Sequence, residues 1–449
     1  MNHQREFMPL PKKHLESFLN RYKIPNRIFI AYSGGVDSHV VLHLCATHDQ
    51  LKDKITAVYV HHGLQKQADI WASHCQKIAD DLRVDFAMLS VNATPDLGES
   101  PEEAARNVRY TALKTLIGVN DVLMLGQHKE DQLETILLQL FRGSGLRGLS
   151  GMPEHIAFGQ GFMARPLLNV SKQNILAYAE IHGLKWVEDP SNQQINFDRN
   201  LLRHEILPRL KQRWPSLDTT VSRSAQHCAD AKQLISEFVY PLFDRAYDPA
   251  DQTLAITKLT ALTTQQRNWV LRQWFETLHL KPPSQAVLQT IAEQMITVRQ
   301  NSNAQIRHEG HFIKPYRQKL FCLSEKALLR EPDLRVWPIQ QSSLHLTNGY
   351  TLSRIESISG ISQLLWDASE VTISNRHGGE KIKLPGRNGH HDLKKLWQEA
   401  GIPPWEREVR PLVFLNNQLA AVAGLWIAEW AWSVETRKCY TLKWEPGLL

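Results

Sequence analysis

The chain has few of the features that mark secreted, membrane or metal-stabilised proteins. Its 449 residues include five cysteines, and no two of them form a CxxC pair. We therefore expect neither a zinc knuckle nor a dithiol redox site, and scattered lone cysteines suit a reducing cytoplasm. The N-terminal stretch lacks the apolar core of a signal peptide, which also favours a cytoplasmic protein.

Long apolar runs and a strong charge of one sign are also missing. The most apolar late segment, LAAVAGLWIAEWAW at 419–432, is interrupted by Glu429 and falls short of the roughly 18 apolar residues of a membrane span. We interpret it as a buried pair of strands and expect no membrane association. Lys and Arg total 52 against 46 Asp and Glu, and this net charge of +6 only mildly favours a polyanionic partner.

The N-terminal part of the chain alternates apolar and amphipathic segments. The apolar runs at 27–32, 55–60, 84–91 and 121–126 predict buried strands, and the intervening patterns at 36–48, 66–82 and 101–117 predict helices. Val, Ile and Leu runs that alternate with helices are typical of a parallel sheet covered on both faces. The pattern predicts an α/β, Rossmann-like domain with its ligands at the carboxyl ends of the strands.

The pattern becomes helical after about residue 216. A helical stripe runs through Leu271, Trp274, Phe275 and Leu278, and Thr263 with Gln266 has the spacing of a capping box. We predict four parts: a catalytic domain at 1–215, a helical substrate-binding domain at 216–320, a linker or the start of the last module at 321–364, and a small α+β domain at 365–449.

The turn between the first strand and the first helix of the sheet has the sequence SGGVDS, residues 33–38. Free N–H groups at a helix start, together with the helix dipole, favour a phosphate there, and Gly34 and Gly35 let it approach the backbone. Asp37 would repel a triphosphate unless Mg²⁺ bridged the two. A glycine turn that only begins a helix is the alternative, and the preceding strand and following helix favour phosphate binding.

A second polar feature is the segment KEDQLETILLQLF at 129–141, which has the pattern of an amphipathic helix. Asp131 lies opposite the apolar stripe and Glu134 on its flank, one turn apart. A solvated acidic face would explain them, but the helix begins at the carboxyl end of a strand beside the phosphate loop. That position favours binding of a metal or of a cationic substrate.

SGGxDS resembles the loop of the PP-loop ATP pyrophosphatases, and further stretches resemble one family among them, the tRNA(Ile)-lysidine synthetases. These stretches are VHHGLQKQADIW (60–71), GESPEEAARNVRY (98–110), GQHKEDQLETILLQLFRGSGLRGLSGM (126–152), the segment 165–210 with RNLLRHEI, and GGEKIKLPGRNGHHDLKKLWQEAGIPPWERE (378–408). The resemblance covers most of the chain and is weakest in the middle domain. It implies a PP-loop ATPase domain followed by two domains that bind tRNA.

The resemblance also implies a two-step reaction with the cofactors ATP and Mg²⁺. ATP adenylates the C2 oxygen of the wobble cytidine in tRNA(Ile) with a CAU anticodon, and pyrophosphate leaves. The ε-amine of free L-lysine then displaces AMP to give lysidine. The implied partners are this tRNA, L-lysine and ATP, and family members can form homodimers.

The same resemblance assigns roles to particular residues. For ATP binding it implies Ser33, Gly34, Gly35, Val36, Asp37, Ser38, His62 and Gly126. Asp37, Asp131 and Glu134 would be catalytic, Asp37 and Asp131 would hold Mg²⁺, and Asp131 and Glu134 would bind lysine. For tRNA binding the basic patterns and the family motifs together indicate Arg106, Arg109, Arg142, Arg199, Arg203, Lys394, Lys395 and Arg407. Trp405 is expected to be a core anchor rather than an RNA contact.

The chain departs from the family pattern AHHxDDQxET at two positions. Gln127 stands at the first histidine and Glu130 at the first aspartate, whereas His128 matches the second histidine. Two alternatives stay open: another PP-loop tRNA-modifying enzyme such as a thiolase, and a nucleotide- and RNA-binding protein without chemistry. Thiolation generally requires paired cysteines, which the missing CxxC disfavours.

Overall fold

The computed structural model describes residues 10–22, 24–61, 68–92, 94, 101–190, 195–297, 304–331 and 334–446. The chain divides into two compact units between Ile235 and Ser236, and each is described by itself. The predicted division into four parts remains a prediction.

The first unit contains the predicted α/β elements. Its strands are β1 (Ile28–Ala31), β2 (Ile55–His61), β3 (Asp85–Ser90), β4 (Val122–Met124), β5 (His155–Phe158) and β6 (Gly161–Ala164). Its helices are α1 (Leu10–Arg21), α2 (Val36–Ala46), α3 (Ala68–Asp81), α4 (Pro101–Leu116), α5 (Lys129–Phe141), α6 (Leu146–Leu149), α7 (Lys172–Ile181), α8 (Asp198–Leu201) and α9 (Leu207–Arg213). The strands and helices predicted from the sequence are confirmed, with ends that shift by a few residues.

The sheet of this unit has the strand order β3-β2-β1-β4-β6-β5. All neighbouring strands are parallel except β5 and β6, which form an antiparallel pair. The chain leaves β1 toward β2 on one side and returns to β4 on the other, so the direction of winding reverses at β1. Ligands of open α/β sheets bind at such a point, outside the carboxyl ends of the strands.

Strand β1 shows why the sheet is covered on both faces. Ile28 and Ile30 point into a core shared with α2 and α7, whereas Phe29 joins a second core with Leu113 of α4 and Leu123 of β4. Successive side chains of a strand alternate between faces, so a run of apolar residues buries both. Each fully buried side chain of this size contributes about 1.5–3 kcal/mol, which anchors the strand ends that carry the site.

The second unit begins with helices and an antiparallel sheet. The helix α10 (Leu217–Ala246) crosses the division, and it is followed by α11 (Ile256–Thr260), α12 (Thr264–Thr277) and α13 (Gln285–Ile291). The sheet, in the order β7-β8-β11-β10-β9, consists of β7 (Tyr247–Asp248), β8 (Thr253–Ala255), β9 (Ile306–His308), β10 (His311–Tyr316) and β11 (Lys319–Ser324). The capping box of Thr263 and Gln266 and the buried stripe of α12 are confirmed. The sequence prediction of a helical region did not include this sheet.

The rest of the second unit is the predicted mixture of strands and short helices. Its strands are β12 (Arg335–Val336), β13 (Ser343–His345), β14 (Tyr350–Ser362), β15 (Val371–Ser374), β16 (Lys381–Ile382), β17 (His391–Asp392), β18 (Leu412–Leu415), β19 (Gln418–Val422), β20 (Trp426–Ile427) and β21 (Trp432–Pro446). Its helices are α14 (Gln363–Asp367), α15 (Leu393–Glu399) and α16 (Pro404–Val409). Ala421 pairs with Ile427, which confirms a strand pair within 419–432. Over the part of the chain that the structure describes, no helix has the length and apolar character needed to cross a membrane.

Candidate active site

The SGGVDS loop joins β1 to α2 in a conformation that requires glycine. Gly34 has φ +82°, and a Cβ atom on it would lie 2.8 Å from Cγ2 of Val187 and 3.1 Å from Sγ of Cys75. Gly35 is the N-cap of α2 and has no side chain that could cap the helix. The first N–H groups of α2 therefore stay available to an anion at the positive end of the helix dipole.

Two serines hold the loop in this shape. Oγ of Ser38 accepts a hydrogen bond from the backbone N–H of Ser33 at 3.2 Å and donates one to the carbonyl oxygen of Gly35 at 3.0 Å. The two serine hydroxyls lie 3.1 Å apart. Because these bonds lie within the loop, the phosphate cradle is formed before a ligand arrives.

A cleft of about 350 Å³ opens beside the loop, at the carboxyl ends of β1, β2 and β4. It is lined by loop residues, by Tyr59 and Val60 of β2, by Leu125, Gly126 and Gln127 after β4, and by Arg109 and Tyr110 of α4. A Cβ atom on Gly126 would lie 2.7 Å from the carbonyl carbon of Asp37 and from the backbone nitrogen of Ser38. The end of β4 therefore touches the start of α2. A pocket with a phosphate cradle at one end and aromatic walls suits a nucleotide.

The two carboxylates predicted on α5 are paired with arginines. Glu134 is buried, and Arg203 bonds to it through Nε at 2.7 Å and through a terminal nitrogen at 2.8 Å. Arg203 also donates to Asp131 at 3.1 Å, and Arg199 lies 3.7 Å from Glu134. Arg203 lies in a π-helical turn over Leu202–Ile206, between α8 and α9. Such turns often occur at functional sites.

Asp37 lies next to this cluster and is also paired. Nζ of Lys172, at the start of α7, is 2.5 Å from Oδ1 of Asp37. Nε2 of His128 lies 3.7 Å from the same oxygen and 3.4 Å from Oδ2 of Asp131. The histidine therefore bridges the phosphate loop and the acidic helix, and the three residues predicted to be catalytic share one site.

Glu130 fixes the orientation of His128. Its carboxylate lies 3.1 Å from Nδ1 of His128 and accepts the backbone N–H of Lys172 at 2.9 Å. Burial alone would lower the pKa of His128, but the bond to Glu130 and the charges of Asp131 and Asp37 outweigh it and raise the pKa. Burial acts to raise the pKa of Glu130, but its bonds to His128 and Lys172 hold that pKa at about 2. The surroundings thus favour the charged form of both groups.

At Glu134, unlike at Glu130, the effect of burial on the pKa outweighs the effect of the hydrogen bonds. Burial raises the pKa of this carboxyl group, and the bidentate bond from Arg203 opposes the rise. The pKa of Arg203 is raised in turn, chiefly by its bond to Glu134, although burial acts against that rise. Glu134 is therefore a carboxylate whose charge depends on a cationic partner.

The carboxylates of this site fit a magnesium ion that is shared with a phosphate ligand. Asp37 and Asp131 converge on the same nitrogen of His128, as described above. Among the described residues, no group of three or more His, Cys, Asp or Glu side chains forms a metal site. Mg²⁺ is usually held by one or two carboxylates together with substrate phosphates, so two carboxylates beside a phosphate cradle are sufficient.

The arginines and lysines predicted to bind tRNA fall into three groups. Arg199, Arg203 and Arg407 have partners within the chain. Arg199 and Arg203 face Glu134, and Arg407 donates hydrogen bonds to the carbonyl oxygen of Ile402 at 2.7 Å and to Tyr316 at 3.2 Å. Arg106 and Arg109 pack over the ring of Tyr110, and Arg109 lines the nucleotide cleft. Arg142, Lys394 and Lys395 are exposed. Trp405 is buried against Phe321, as expected of a core anchor.

The two exposed lysines lie at a concave basic surface. Lys394 and Lys395, on α15, line a cavity of about 400 Å³ together with Arg376, Gly379, Glu380, Asp392 and Gln398. His62, which was predicted to bind ATP, lies outside the described residues. Sequence reasoning did not single out Lys172, Arg165 or the role of Glu130. The motif around Glu130 was a signal for the last of these, whereas no local pattern distinguishes Lys172 or Arg165.

The loop, the cleft at the reversal point of the sheet and the paired carboxylates define an ATP-binding protein of the PP-loop class. In agreement, residues 9–210 match the family model described as PP-loop domain. Residues 254–321 match the TilS substrate binding domain, and residues 371–444 match the TilS substrate C-terminal domain.

Curated relatives match nearly the whole chain. The tRNA(Ile)-lysidine synthase of Methylococcus capsulatus is 36% identical over 421 residues, which cover 93% of this chain and 96% of the relative. That of Coxiella burnetii is 34% identical over 95% of this chain and 96% of its own length, and that of Photobacterium profundum is 38% identical over 90% and 93%. The chain belongs to the tRNA(Ile)-lysidine synthase family.

Proposed function

We propose that the chain is an ATP-dependent ligase that joins free L-lysine to C2 of the wobble cytidine in tRNA(Ile) with a CAU anticodon. The cytidine is first adenylated, and pyrophosphate leaves. The amine of lysine then displaces AMP, and lysidine forms. The main support is that the phosphate loop and the acidic helix form one continuous site, in which His128 lies between Asp37 and Asp131.

In the first step, the loop and the N–H groups of α2 hold the phosphates of ATP. Preorganised donors of this kind stabilise the charge that develops on the leaving pyrophosphate. Asp37 and Asp131 would hold Mg²⁺, which when bound neutralises charge on the phosphate oxygens. Lys172, 2.5 Å from Asp37, adds a positive charge beside the phosphates.

In the second step, Asp131 and Glu134 bind the lysine ammonium and accept its proton. A lysine amine attacks only after it has lost a proton, so a base beside it is required. Arg203 now holds both carboxylates, at 2.7–3.1 Å, so its guanidinium marks the position where a substrate cation is bound. Burial raises the pKa of Glu134, which favours that carboxylate as a proton acceptor.

The tRNA would contact exposed basic side chains in each unit separately. Arg142 follows the acidic helix, and Lys394 and Lys395 line the basic cavity of the second unit. Lysines and arginines bind phosphates with little dependence on sequence, so these contacts position the tRNA rather than select its anticodon. The proposal also includes a cytoplasmic location, which the scattered lone cysteines suit, and a homodimer, which the resemblance to the family implies.

The deciding experiment incubates the protein with ATP, Mg²⁺, lysine and tRNA(Ile), followed by nucleoside analysis. We expect lysidine at the wobble position, and AMP and pyrophosphate only when the tRNA is present. Asp37→Ala should abolish adenylation while tRNA affinity stays at the wild-type value. Unmodified cytidine under all conditions would rule out the function, and a thiolated nucleoside in a parallel incubation with a sulfide donor would favour the thiolase alternative. Equal loss of both properties in Asp37→Ala would indicate that Asp37 is needed for folding.

A further inference from the structure

Gln127 replaces a histidine of the family pattern, and the structure gives it a defined environment. It lies three residues after the end of β4 and lines the nucleotide cleft. Its neighbour Gly126 touches the backbone of Asp37 and Ser38, so Gln127 leaves the sheet beside the phosphate loop. Arg109 and Tyr110 of α4 line the same cleft.

Arg165, at the end of β6, determines how the amide of Gln127 is oriented. Its Nε donates a hydrogen bond to Oε1 of Gln127, and a terminal nitrogen donates to the carbonyl oxygen of Pro153 at 2.8 Å. An arginine has five donors and no acceptor. Only the oxygen of the Gln127 amide can face it, so the NH₂ group is held on the opposite side of the amide.

The guanidinium of Arg165 is a buried charge with an unusual set of partners. Only 6% of the residue is exposed, and among the described residues it forms no ion pair with a carboxylate. Its neighbours are the amide oxygen of Gln127, the carbonyl oxygen of Pro153, the sulfur of Met163 and the hydroxyl of Tyr110. A buried cation is costly unless hydrogen-bond acceptors surround it, so the amide oxygen of Gln127 is held toward Arg165.

We propose that the Nε2 amide group of Gln127 donates a hydrogen bond to the α-phosphate of ATP, with Arg165 as the positioning residue that holds the amide in this orientation. This inference rests on the proposed function only for the use of ATP. The NH₂ group lies beside the phosphate cradle and cannot recognise a lysine ammonium, because both are donors. A phosphate oxygen accepts such bonds strongly.

The test compares two substitutions of almost the same size. Gln127→Glu keeps the oxygen that faces Arg165 but replaces the donor by a second oxygen. Gln127→His keeps both functions, because a neutral imidazole accepts at one nitrogen and donates at the other. Binding of α,β-methylene-ATP with Mg²⁺ is titrated without tRNA, and thermal unfolding of each variant is recorded as a control for folding.

We expect Gln127→Glu to weaken binding of the analogue about tenfold or more, the usual effect of losing a hydrogen bond to a charged group. Gln127→His should stay within about threefold of the wild type, since the donor is kept. Wild-type affinity in Gln127→Glu would overturn the proposal, and so would equal losses in both variants. Should Gln127→Glu fail to fold, Gln127→Leu replaces it, with the same tenfold loss expected.

The role of Arg165 is tested by combining Arg165→Met with Gln127→Leu. If Arg165 acts through the amide, the double variant binds the analogue no more weakly than Gln127→Leu alone. Additive losses would overturn its role as a positioning residue. Because these titrations involve neither tRNA nor lysine, they remain valid even if no lysidine is formed.

Discussion

The helices α2 and α5 begin at the ends of neighbouring strands, but their N-termini are built in opposite ways. At α2 the N-cap is Gly35, which leaves the first N–H groups of the helix for a ligand. At α5 the carboxylate of Asp131 reaches back and accepts the backbone N–H of His128 at 3.0 Å. The first helix therefore presents an open anion site, whereas the second is satisfied by its own side chains.

The ionisable groups near the two helices also differ in the charge state that their surroundings favour. Burial lowers the pKa of His39 and lowers that of His43 to about 4, so the histidines of α2 are held neutral. Around α5, the bond between His128 and Glu130 and the neighbouring charges favour the charged forms of both residues, despite burial. A ligand of α2 therefore enters a prepared site, whereas a ligand of α5 has to exchange with ions that are already paired. Three substitutions test this difference.

The largest effect is expected where the two helix starts meet, at Gly126. In Gly126→Ala the added Cβ would lie 2.7–2.8 Å from backbone atoms of Asp37 and Ser38, so the phosphate cradle has to shift. Misplacement of about 1 Å can cost about 100-fold in rate, and we expect at least that loss of pyrophosphate release. Overpacking should also destabilise the fold by about 1–3 kcal/mol, measured by urea unfolding.

The matched control is Gly145→Ala, because Gly145 has φ −76° and a Cβ atom added to it would meet nothing within 4 Å. We expect wild-type pyrophosphate release and stability from this variant. A wild-type rate in Gly126→Ala would mean that the loop adapts to its ligand. The claim that the phosphate cradle is formed before binding would then be wrong.

The second substitution, Glu134→Gln, tests α5, whose carboxylates are already paired with an arginine. It keeps the shape of the side chain but removes the charge that Arg203 binds at 2.7 Å. We expect the KM for lysine to rise about 10–100-fold, the effect of a lost charge-assisted bond, while ATP affinity stays unchanged. Adenylated tRNA should therefore accumulate, which nucleoside analysis after rapid quenching would detect.

Glu180→Gln, at an exposed carboxylate of α7, is the control and should leave both steps unchanged. A loss of adenylation in Glu134→Gln, with an unaltered KM for lysine, would place Glu134 in the first step. The carboxylates of α5 would then belong to the nucleotide site, and the distinction between the two helices would fail.

The phosphate loop and the acidic pair of the site could largely be predicted from the sequence. The motif SGGVDS predicted the loop, because glycine is favoured at the positive φ of Gly34. The apolar runs on both sides of the motif predicted the strand and the helix. The acidic pair of α5 was found from helical spacing. These features depend on residues close together in the chain, and local rules describe them well.

The partners of those residues could not be predicted, because they come from distant segments. Lys172 is 135 positions from Asp37, and Arg203 is 69 positions from Glu134. The motif with Arg199 and Arg203 indicated RNA phosphates, since a basic cluster has the same pattern whether it faces a nucleic acid or a buried carboxylate. Likewise, Gln127 was visible only as a departure, and its orientation follows from Arg165 on another strand.

The smallest effect concerns the far end of α2, where His43 lies 3.0 Å from the hydroxyl of Tyr178 and its ring centroid 4.9 Å from that of His182. Burial, and then the charges that His182 and His39 would carry, lower the pKa of His43 to about 4. The unfolded chain binds this proton near pH 6.5, so the stability contributed by neutral His43 is complete above that pH and is lost as the pH falls toward 4. His43→Gln should therefore reduce the loss of stability between pH 7.5 and pH 5 by about 1–2 kcal/mol, measured by urea unfolding.

His227→Gln, at an exposed histidine, should leave that loss unchanged. An identical pH dependence in His43→Gln and the wild type would mean that His43 is not held neutral, and the contrast in charge between the two helices would then be confined to α5.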